Sequence, residues 1–362
     1  MVWRERCLLR ASGRTVPFFC PEIVLSILIF AALAGMRYDV GVDHLAYLRF
    51  YKELCLYGHT SRETFEPLFL LIGKLFASLE AHYSFYFAFL AALQIGFVYY
   101  ALRDSKEILP YVVLYILLGP YFLDWMNGIR QNIVCCLFIW LVRYIADRRI
   151  LLYAAFVLIA AFVHRSAIML LPIYVIAFLP DITRLRKINI LILLLCVVLG
   201  SSPVWMRSLQ FIEHLLAFAG YDIYAERATE MISGDSFRIT AWGPGRISIF
   251  LVSIILIWYL PDMARKYTDD KLFSLYAMLF LIGVWMYNLF VNTSHIFLRP
   301  VMYFLVFRLV MFGYCMRFFR AQRKRVCSLV LGSIALIYVY YVCYKAVVLN
   351  QRFVLYKFFF EV

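Results

Sequence analysis

Residues 17–36 read PFFCPEIVLSILIFAALAGM, and the next fifteen residues, 37–51, read RYDVGVDHLAYLRFY. The first stretch is long and apolar enough to cross a bilayer as one helix, which takes about 20 such residues. The second begins with a run of charged groups. Apolar stretches alternate with charged links in this way along the chain of 362 residues. The sequence therefore predicts an all-α, polytopic membrane helix bundle.

The composition excludes a soluble protein. Hydrophobic residues make up 65% of the chain and the mean hydropathy is +0.81, whereas soluble domains are about 45–50% apolar. The net charge is +14, but most basic residues lie in short links between apolar runs, so we expect no nucleic-acid partner. The nine cysteines include no CxxC pair, which argues against a disulfide framework and a metal site.

Eleven apolar runs are candidate membrane spans, within a range of 10–12 transmembrane helices, and they form one integral membrane domain over 1–362. The runs are 17–36, 84–101, 108–123, 129–146, 150–163, 166–180, 188–204, 246–261, 271–291, 300–316 and 327–345. The segment 65–79 is shorter and is expected to lie at the surface. The runs 150–163 and 166–180 are short and are expected to form a hairpin of thin or re-entrant helices.

The distribution of charge orients the chain. With eleven crossings and a cytoplasmic N-terminus, the cytoplasmic links hold 20 of the 36 Lys and Arg residues, as the positive-inside rule requires. The first span follows four arginines and reads as an uncleaved signal anchor. Two long outer, or periplasmic, segments result, at 37–83 and 205–245. Irregular segments of that length are usually functional.

Acidic candidates lie just outside the first span. Asp39 and Asp43 stand beside Arg37, where carboxylates can bind sugar, hold a metal or accept a proton from a hydroxyl; pairing with Arg37 in a solvated loop explains them equally well. Glu66 precedes Pro67 at the start of a short helix. Helix capping is a sufficient reason for that pair, and a sugar-positioning role is the alternative.

Basic candidates follow in three places, all on the outer side. Arg130 and Gln131 begin an apolar helix, and Asn127 lies near them on one helical face. His164 with Arg165 and His295 with Arg299 each stand at a helix boundary. Snorkelling to headgroups explains a lone arginine, but several together predict a cationic pocket for an anionic group at headgroup depth. A lipid-linked pyrophosphate fits that depth and charge.

The chain also resembles the EpsG family of bacterial polysaccharide polymerases, relatives of the Wzy O-antigen polymerases. The resemblance rests on four ordered motifs across residues 20–180. They are R-x-x-V-G-x-D (Arg37, Val40, Gly41, Asp43), E-P (Glu66, Pro67), I-R-Q (Ile129, Arg130, Gln131) and F-x-H-x-S-A-I (Phe162, His164, Ser166, Ala167, Ile168). The later half matches by hydropathy and by Arg299, and Ile133–Val134 departs from the alanine usual after the third motif.

The resemblance implies a GT-C-like glycosyltransferase of the bacterial inner membrane. It would join repeat units carried on undecaprenyl pyrophosphate at the periplasmic face. Its partners would be membrane lipid and, as a further candidate, a chain-length regulator protein. His164, Asp43 and Arg130 would be catalytic. Arg37, Asp39, Glu66, Asn127, Gln131, Arg165, His295 and Arg299 would bind substrate. No cofactor or metal is expected, although the Asp39/Asp43 pair leaves a metal open.

Rival functions are a flippase for lipid-linked oligosaccharide, an O-antigen ligase and a membrane acyltransferase. A flippase needs access to both faces and commonly shows an internal repeat, which the sequence lacks. An acyltransferase needs a histidine near a cytosolic acyl donor, whereas both highlighted histidines are expected outside. A ligase differs only in its acceptor, so the sequence hardly separates it from a polymerase.

Overall fold

The fold was obtained as a computed structural model that describes residues 18, 20–60, 65–205, 207–209, 242–293, 295–348 and 356–361. Within those ranges the chain is helical, which confirms the all-α prediction. The α-helices are α1 (Pro21–Met36), α2 (His44–Tyr57), α3 (Pro67–Ser78), α4 (Tyr83–Ala101), α5 (Leu109–Leu118), α6 (Tyr121–Asn127), α7 (Ile129–Ala146), α8 (Ile150–Ala161), α9 (Arg186–Gly200), α10 (Pro244–Lys266), α11 (Lys271–Phe290), α12 (His295–Ala321) and α13 (Arg325–Val347). Turns of 3₁₀-helix cover Arg103–Ile108, Arg165–Phe178 and Phe359–Glu361.

Helix α12 lies at the centre of the bundle. Of its apolar window, 83% is buried, compared with 11% for α13, which lies at the edge. A helix that is apolar on all sides needs either protein or lipid around it. Helix α12 is surrounded mainly by protein, whereas most of the surface of α13 is available to lipid. Helix α7 packs against both α12 and α4, so residues at the starts of α7 and α12 are held in fixed relation.

The contact between α1 and α4 depends on a glycine. A Cβ atom at Gly35 would lie 2.4 Å from the carbonyl oxygen of Ser84 and 2.8 Å from the Cβ of Ala88. Small residues allow membrane helices to approach this closely. Further along the pair, the hydroxyls of Ser26 and Tyr99 are 2.6 Å apart. The pair fixes the end of α1, where the charged segment 37–43 begins.

One end of the bundle gathers the links predicted to be cytoplasmic. Arg143 donates to Asp104 at 2.8 Å and Arg186 donates to Asp262 at 2.9 Å. These contacts join four separate links of the sequence at one face. The grouping of the links therefore agrees with the charge analysis, while the side of the membrane on which they lie stays a prediction.

The opposite end holds the charged segments predicted to be outer. Residues 356–358 also lie there, because the Tyr38 N–H donates to the Lys357 carbonyl at 2.8 Å and Arg37 forms an antiparallel bridge with Phe358. The start of α1 and residues 356–358 therefore lie at opposite ends of α1. If α1 crosses the membrane, the chain crosses an odd number of times between them, in keeping with eleven.

The number of spans can be read at several levels. Six described helices are long and apolar enough to cross a bilayer, and up to eight spans result if each bent helix pair is one. Four shorter apolar helices add to these: Pro21–Met36, Pro67–Ser78, Ile150–Ala161 and Arg165–Phe178. Together they give the predicted range, with α3 as the doubtful member. At 12 residues it is about 18 Å long, too short to cross alone.

Two predicted spans have unexpected forms. The prediction of one continuous span over 108–123 is wrong, because α5 ends at Leu118 and α6 leaves it at 69°. Pro120 lacks the N–H that would continue the helix. The predicted hairpin is present, with its turn at His164, but its second arm is the 3₁₀-helix Arg165–Phe178 around Pro172. Of the predicted outer segment 205–245, residues 206 and 210–241 lie outside the described residues.

Orientation can be tested by thiol labelling. Cys55 on α2 is exposed at the end with segment 37–43, and Gln322, just after α12, is exposed at the other. We expect a membrane-impermeant maleimide to label Cys55 in intact cells, in a variant that lacks the other cysteines. In the same background without Cys55, Gln322→Cys should react only after permeabilisation. The reverse pattern, in protein that is still folded and inserted in the membrane, would invert the predicted orientation.

Candidate functional site

Glu66 is the centre of a polar network at the end of the bundle that is predicted to be outer. Its side chain is only 5% exposed. Oε2 accepts a charge-assisted hydrogen bond from Nη1 of Arg130, and Oε1 accepts one from the backbone N–H of Arg165 at 3.1 Å. Nδ1 of His164 lies 3.3 Å from Oε1. One carboxylate thus joins the start of α3, the start of α7 and the turn of the hairpin.

The local sequence explains why Glu66 stands there. Pro67 fixes the first turn of α3, so Glu66 becomes its N-cap in an extended conformation. The free N–H of Leu68 donates to the Phe162 carbonyl at 2.9 Å. That bond attaches the beginning of α3 to the end of α8 and brings the E-P and F-x-H motifs together. Glu66 thus holds the N-cap position, but its side chain makes no capping hydrogen bond and belongs to the network instead.

The network keeps Glu66 ionised. Burial alone would raise the pKa of Glu66, but the His164 imidazole, the Arg130 charge and the Arg165 N–H outweigh it and lower the pKa to about 2. A carboxylate that accepts several hydrogen bonds behaves in this way. Glu66 is therefore a permanent anion that positions cations around itself, and not a proton donor.

The Arg130 guanidinium is held by aromatic rings against its plane as well as by the Glu66 hydrogen bond at its edge. Its guanidinium lies 4.9 Å from the ring centre of Phe65 and 5.7 Å from that of Phe69, within the range of cation–π attraction. The ring of Tyr47 lies 6.0 Å away. About a quarter of the Arg130 side chain stays exposed. Arg130 is thus oriented by Glu66 and two aromatic faces while part of it remains open to a ligand.

Arg37 is buried at the start of the segment 37–43 and holds that segment against the helix bundle. This side chain is 1% exposed; Nη2 donates to the Met126 carbonyl at 2.8 Å and Nη1 to the Ala34 carbonyl. Burial lowers the pKa of Arg37 to about 10, with nearby Tyr356 and Tyr47 opposing the fall, so it is charged at neutral pH. The structure places Arg37 under the segment, where it orders the backbone.

Asn127 holds the same segment from the side. Its Oδ1 accepts from the Asp43 N–H at 2.9 Å, and Gly41 passes so close that a Cβ there would lie 3.1 Å from that oxygen. Gly41 also has φ +88°, a conformation that favours glycine. The close contact of the G-x-D motif with Asn127 therefore sets the position of Asp43.

Asp43 faces the positive charges of the site. Burial raises the pKa of Asp43, and the charges of Arg299 and Arg130 limit the rise. Arg299 is brought near by Gln131, whose Nε2 donates to the Arg299 carbonyl at 2.5 Å. The side chains of Arg299 and Arg165 are exposed and make no ion pair with described residues. They are the cations best placed to meet an anionic ligand.

Two predicted site residues stand apart from this geometry, and a third lies beside it without a hydrogen bond. Asp39 has φ +52° and a buried Oδ1 without a described partner. His164 lies beside Glu66, but its two ring nitrogens are covered by protein and make no hydrogen bond in their present orientation. The side chain of His295 lies outside the described residues. In the described ranges no three His, Cys, Asp or Glu side chains gather as metal ligands do.

Sequence reasoning missed the aromatic walls of the site. Phe65 and Phe69 flank Glu66 at spacings that put them on one side of the start of α3, and Tyr47 follows Asp43 by one helical turn. An aromatic residue directly before an E-P pair was the available signal. His44, which was not among the predicted site residues, is buried: burial and then Arg37 lower its pKa to about 3, and its ring packs 5.2 Å from that of Phe87.

The fold and this site define a multi-pass membrane protein whose charged motifs converge at one end of a helix bundle. The chain belongs to the EpsG family: a sequence model of that family matches residues 23–358. The match covers the later half that the motifs alone left open, and it associates the protein with polysaccharide biosynthesis. No curated protein and no solved structure matches the chain.

The network predicts a pH-dependent stability difference between the wild type and Glu66→Gln. The depressed pKa means that Glu66 contributes stability above its unfolded pKa of about 4.3, and that this contribution is lost as the pH falls toward 2. We expect Glu66→Gln to lower Tm most above pH 5, with the gap to wild type narrowing between pH 4.5 and 3. Thermal unfolding of purified protein in detergent measures it.

The exposed acid Glu80 provides the control, since Glu80→Gln removes a carboxylate outside the network. A gap for Glu66→Gln that stays constant with pH would show that its carboxylate is not held by Arg130 and the Arg165 N–H.

Proposed function

We propose that this protein polymerises oligosaccharide repeat units carried on undecaprenyl pyrophosphate at the periplasmic face of the bacterial inner membrane. The product would be an O-antigen, capsule or exopolysaccharide. The observation that carries the proposal is the convergence of Asp43, Glu66, Arg130, His164 and Arg299 from five separate segments at one end of the bundle. Membership of the EpsG family supports the same class of reaction.

The cations suit the leaving group of this reaction. In a transfer between lipid-linked units, a hydroxyl of the acceptor attacks the anomeric carbon of the donor, the bond from that carbon to the phosphate oxygen breaks, and undecaprenyl pyrophosphate departs. Negative charge grows on the departing oxygen, and preorganised cations stabilise it. Arg299 and Arg165 are exposed for that purpose, and Arg130 adds a planar guanidinium with a fixed orientation.

The proton from the acceptor hydroxyl goes to Asp43 in this proposal. A general base works best when its pKa is raised toward the working pH, and burial moves the pKa of Asp43 in that direction. His164 has both ring nitrogens covered, so it serves as a positioning residue on Glu66. The assignment separates two residues that the motifs presented as equivalent candidates.

Lipid tails and glycans enter this scheme as partners. The pyrophosphate head lies at the depth of the site while the undecaprenyl chain lies in the bilayer beside the bundle. A chain-length regulator protein is a further proposed partner. A flippase, the main rival, would need a comparable charged site open to the other end of the bundle. There, Arg143 and Arg186 already pair with carboxylates.

Deletion of the gene tests the function. We expect surface glycan with one repeat unit on its lipid core and no long ladder on a gel of extracted polysaccharide. Loss of a flippase would leave no repeat unit at the surface, and loss of a ligase would leave long polymer that is not attached to the core. An unchanged ladder in the deletion strain would rule out the polymerase.

Asp43→Asn tests the assignment of the base. The amide keeps the shape of the side chain and leaves the backbone bond to Asn127 intact, but it cannot take a proton. We expect polymer formation to fall by about 10²–10⁴, at membrane expression equal to wild type. His164→Gln should fall less, because only the orientation of Glu66 is disturbed. The measurement is the rate of polymer formation from purified lipid-linked units.

Glu80→Gln again serves as the matched control, since it neutralises an exposed carboxylate at the same end of the bundle. A fully active Asp43→Asn beside an inactive His164→Gln would move the role of base to His164.

A further inference from the structure

A cavity with mainly apolar walls and a few polar groups lies deeper in the same half of the bundle. It has a volume of about 230 Å³ and is lined by residues of α6, α7 and α10–α13. Its lining includes Pro120, Asp124, Asn132, Tyr287, Arg308 and Tyr338. Arg308 lies nine residues after Arg299 on α12, which places it about 14 Å further along the helix axis. The cavity therefore begins below the cationic end and extends toward the middle of the membrane.

The bend in the broken span creates the space. Helix α5 stops at Leu118, Pro120 starts a new direction, and α6 runs at 69° to α5. The position of α6 is fixed by Asn132, whose Nδ2 donates to the Asp124 carbonyl at 2.8 Å, and by Tyr121, whose hydroxyl donates to the Leu305 carbonyl at 2.9 Å. A straight helix would fill this region with its own side chains.

Two ionisable side chains, Arg308 and Asp124, face the cavity without pairing with each other. Arg308 is 3% exposed and its Nε has no hydrogen-bond partner. Its guanidinium lies 6.0 Å from the ring centre of Tyr287 and against the hydroxyl of Tyr115. No described carboxylate forms an ion pair with it, and the Asp124 carboxylate makes no hydrogen bond with a described group. Ionisable groups at membrane depth are costly and mark functional sites.

The cavity is separate from the network around Glu66. Arg130 and Asn132 are two residues apart on α7, so they point about 200° from each other around the helix axis. Arg130 faces Glu66 and the hairpin, while Asn132 faces the cavity. The start of α7 is thus the wall between two polar sites.

The lining selects among ligand classes. An isoprenoid chain would leave the Arg308 and Asp124 side chains without hydrogen-bond partners, and the Asp124 carboxyl offers a pyrophosphate no positive charge. A sugar ring needs both hydrogen-bond donors and acceptors for its hydroxyls and flat apolar surfaces for its C–H faces. Arg308, Asn132 and Asp124 supply the first, and Tyr287 and Tyr338 supply the second. Pockets of this type combine apolar walls with a few directed polar groups.

We propose that this cavity binds one sugar residue of the lipid-linked oligosaccharide while its pyrophosphate stays at the cationic end. The proposal rests on the proposed function and adds a saccharide subsite to it. Asp124 and Arg308 hold the sugar hydroxyls from two sides. The subsite determines which repeat unit is accepted. A ring whose hydroxyls do not match leaves the Asp124 and Arg308 side chains without partners, and the binding energy lost in this way disfavours that substrate.

The test is a binding measurement on the full-length protein in detergent. The probe is the lipid-free repeat-unit oligosaccharide, released by mild acid from the lipid-linked pool of the host. We expect saturable binding to the wild type by titration calorimetry and at least about tenfold weaker binding to Asp124→Asn, the factor that corresponds to one lost hydrogen bond to a charged group. Tyr338→Phe keeps the ring and should weaken binding less than Asp124→Asn does. It gives a second readout of the cavity in case Asp124→Asn fails to fold.

Two further variants separate the outcomes. Tyr99→Phe removes a buried hydroxyl outside the cavity and should bind as wild type does. Asp43→Asn should bind the oligosaccharide normally while failing to polymerise, so a failure of the chemistry is distinguished from a failure of the subsite. The proposal is overturned if the wild type shows no saturable binding, or if Asp124→Asn and Tyr338→Phe both bind as tightly as wild type. A normal glycan ladder after gene deletion would instead remove the polymerase and leave the binding result standing.

Discussion

The Glu66 carboxylate is the interaction on which the outer end of the bundle depends. It accepts from Arg130 and from the Arg165 N–H, and it lies beside His164, so α3, α7 and the hairpin meet at one buried anion. A buried charge of this kind is tolerable only while its partners remain in place. The same requirement that costs stability fixes the Arg130 guanidinium and the start of the Arg165 segment in a defined arrangement.

A second constraint acts through the backbone. The segment after α1 is attached below by Arg37 and laterally by Asn127, and Gly41 allows the approach. These residues do not need to touch substrate to matter. They set where the Asp43 carboxylate stands relative to Arg299 and Arg130, so two of the residues first seen as binding groups act by positioning.

The sequence predicted the class of fold and the members of the site more fully than their roles. Composition and the length of the apolar runs determine that the chain is a membrane helix bundle, because lipid leaves few alternatives. The convergence of Asp43, Glu66, Arg130 and His164 followed from their shared side of the membrane. The bend at Pro120 had a local signal in the pair Gly119–Pro120, which breaks a helix. The burial of Arg37 was not predictable, because it depends on contacts with helices far away in sequence, and hydropathy carries no information about which helix packs against which.

The same limit explains why the cavity beside α6 escaped notice. Asp124 and Arg308 are 184 residues apart in sequence, and each alone reads as an isolated charge in an apolar run. Only the bend of α6 and the central place of α12 bring them to one space. Arg308 inside the predicted span 300–316 and Asp124 directly after the predicted span 108–123 were therefore the signals to follow.

The bridge between Arg37 and Phe358 has a consequence for biosynthesis. The segment that carries Asp43 is made early, whereas residues 356–358 leave the ribosome after every helix of the bundle. The segment therefore receives these backbone contacts only after α13 has been synthesised. A chain translated only as far as α13 lacks the contact that holds the start of its own Asp43 segment.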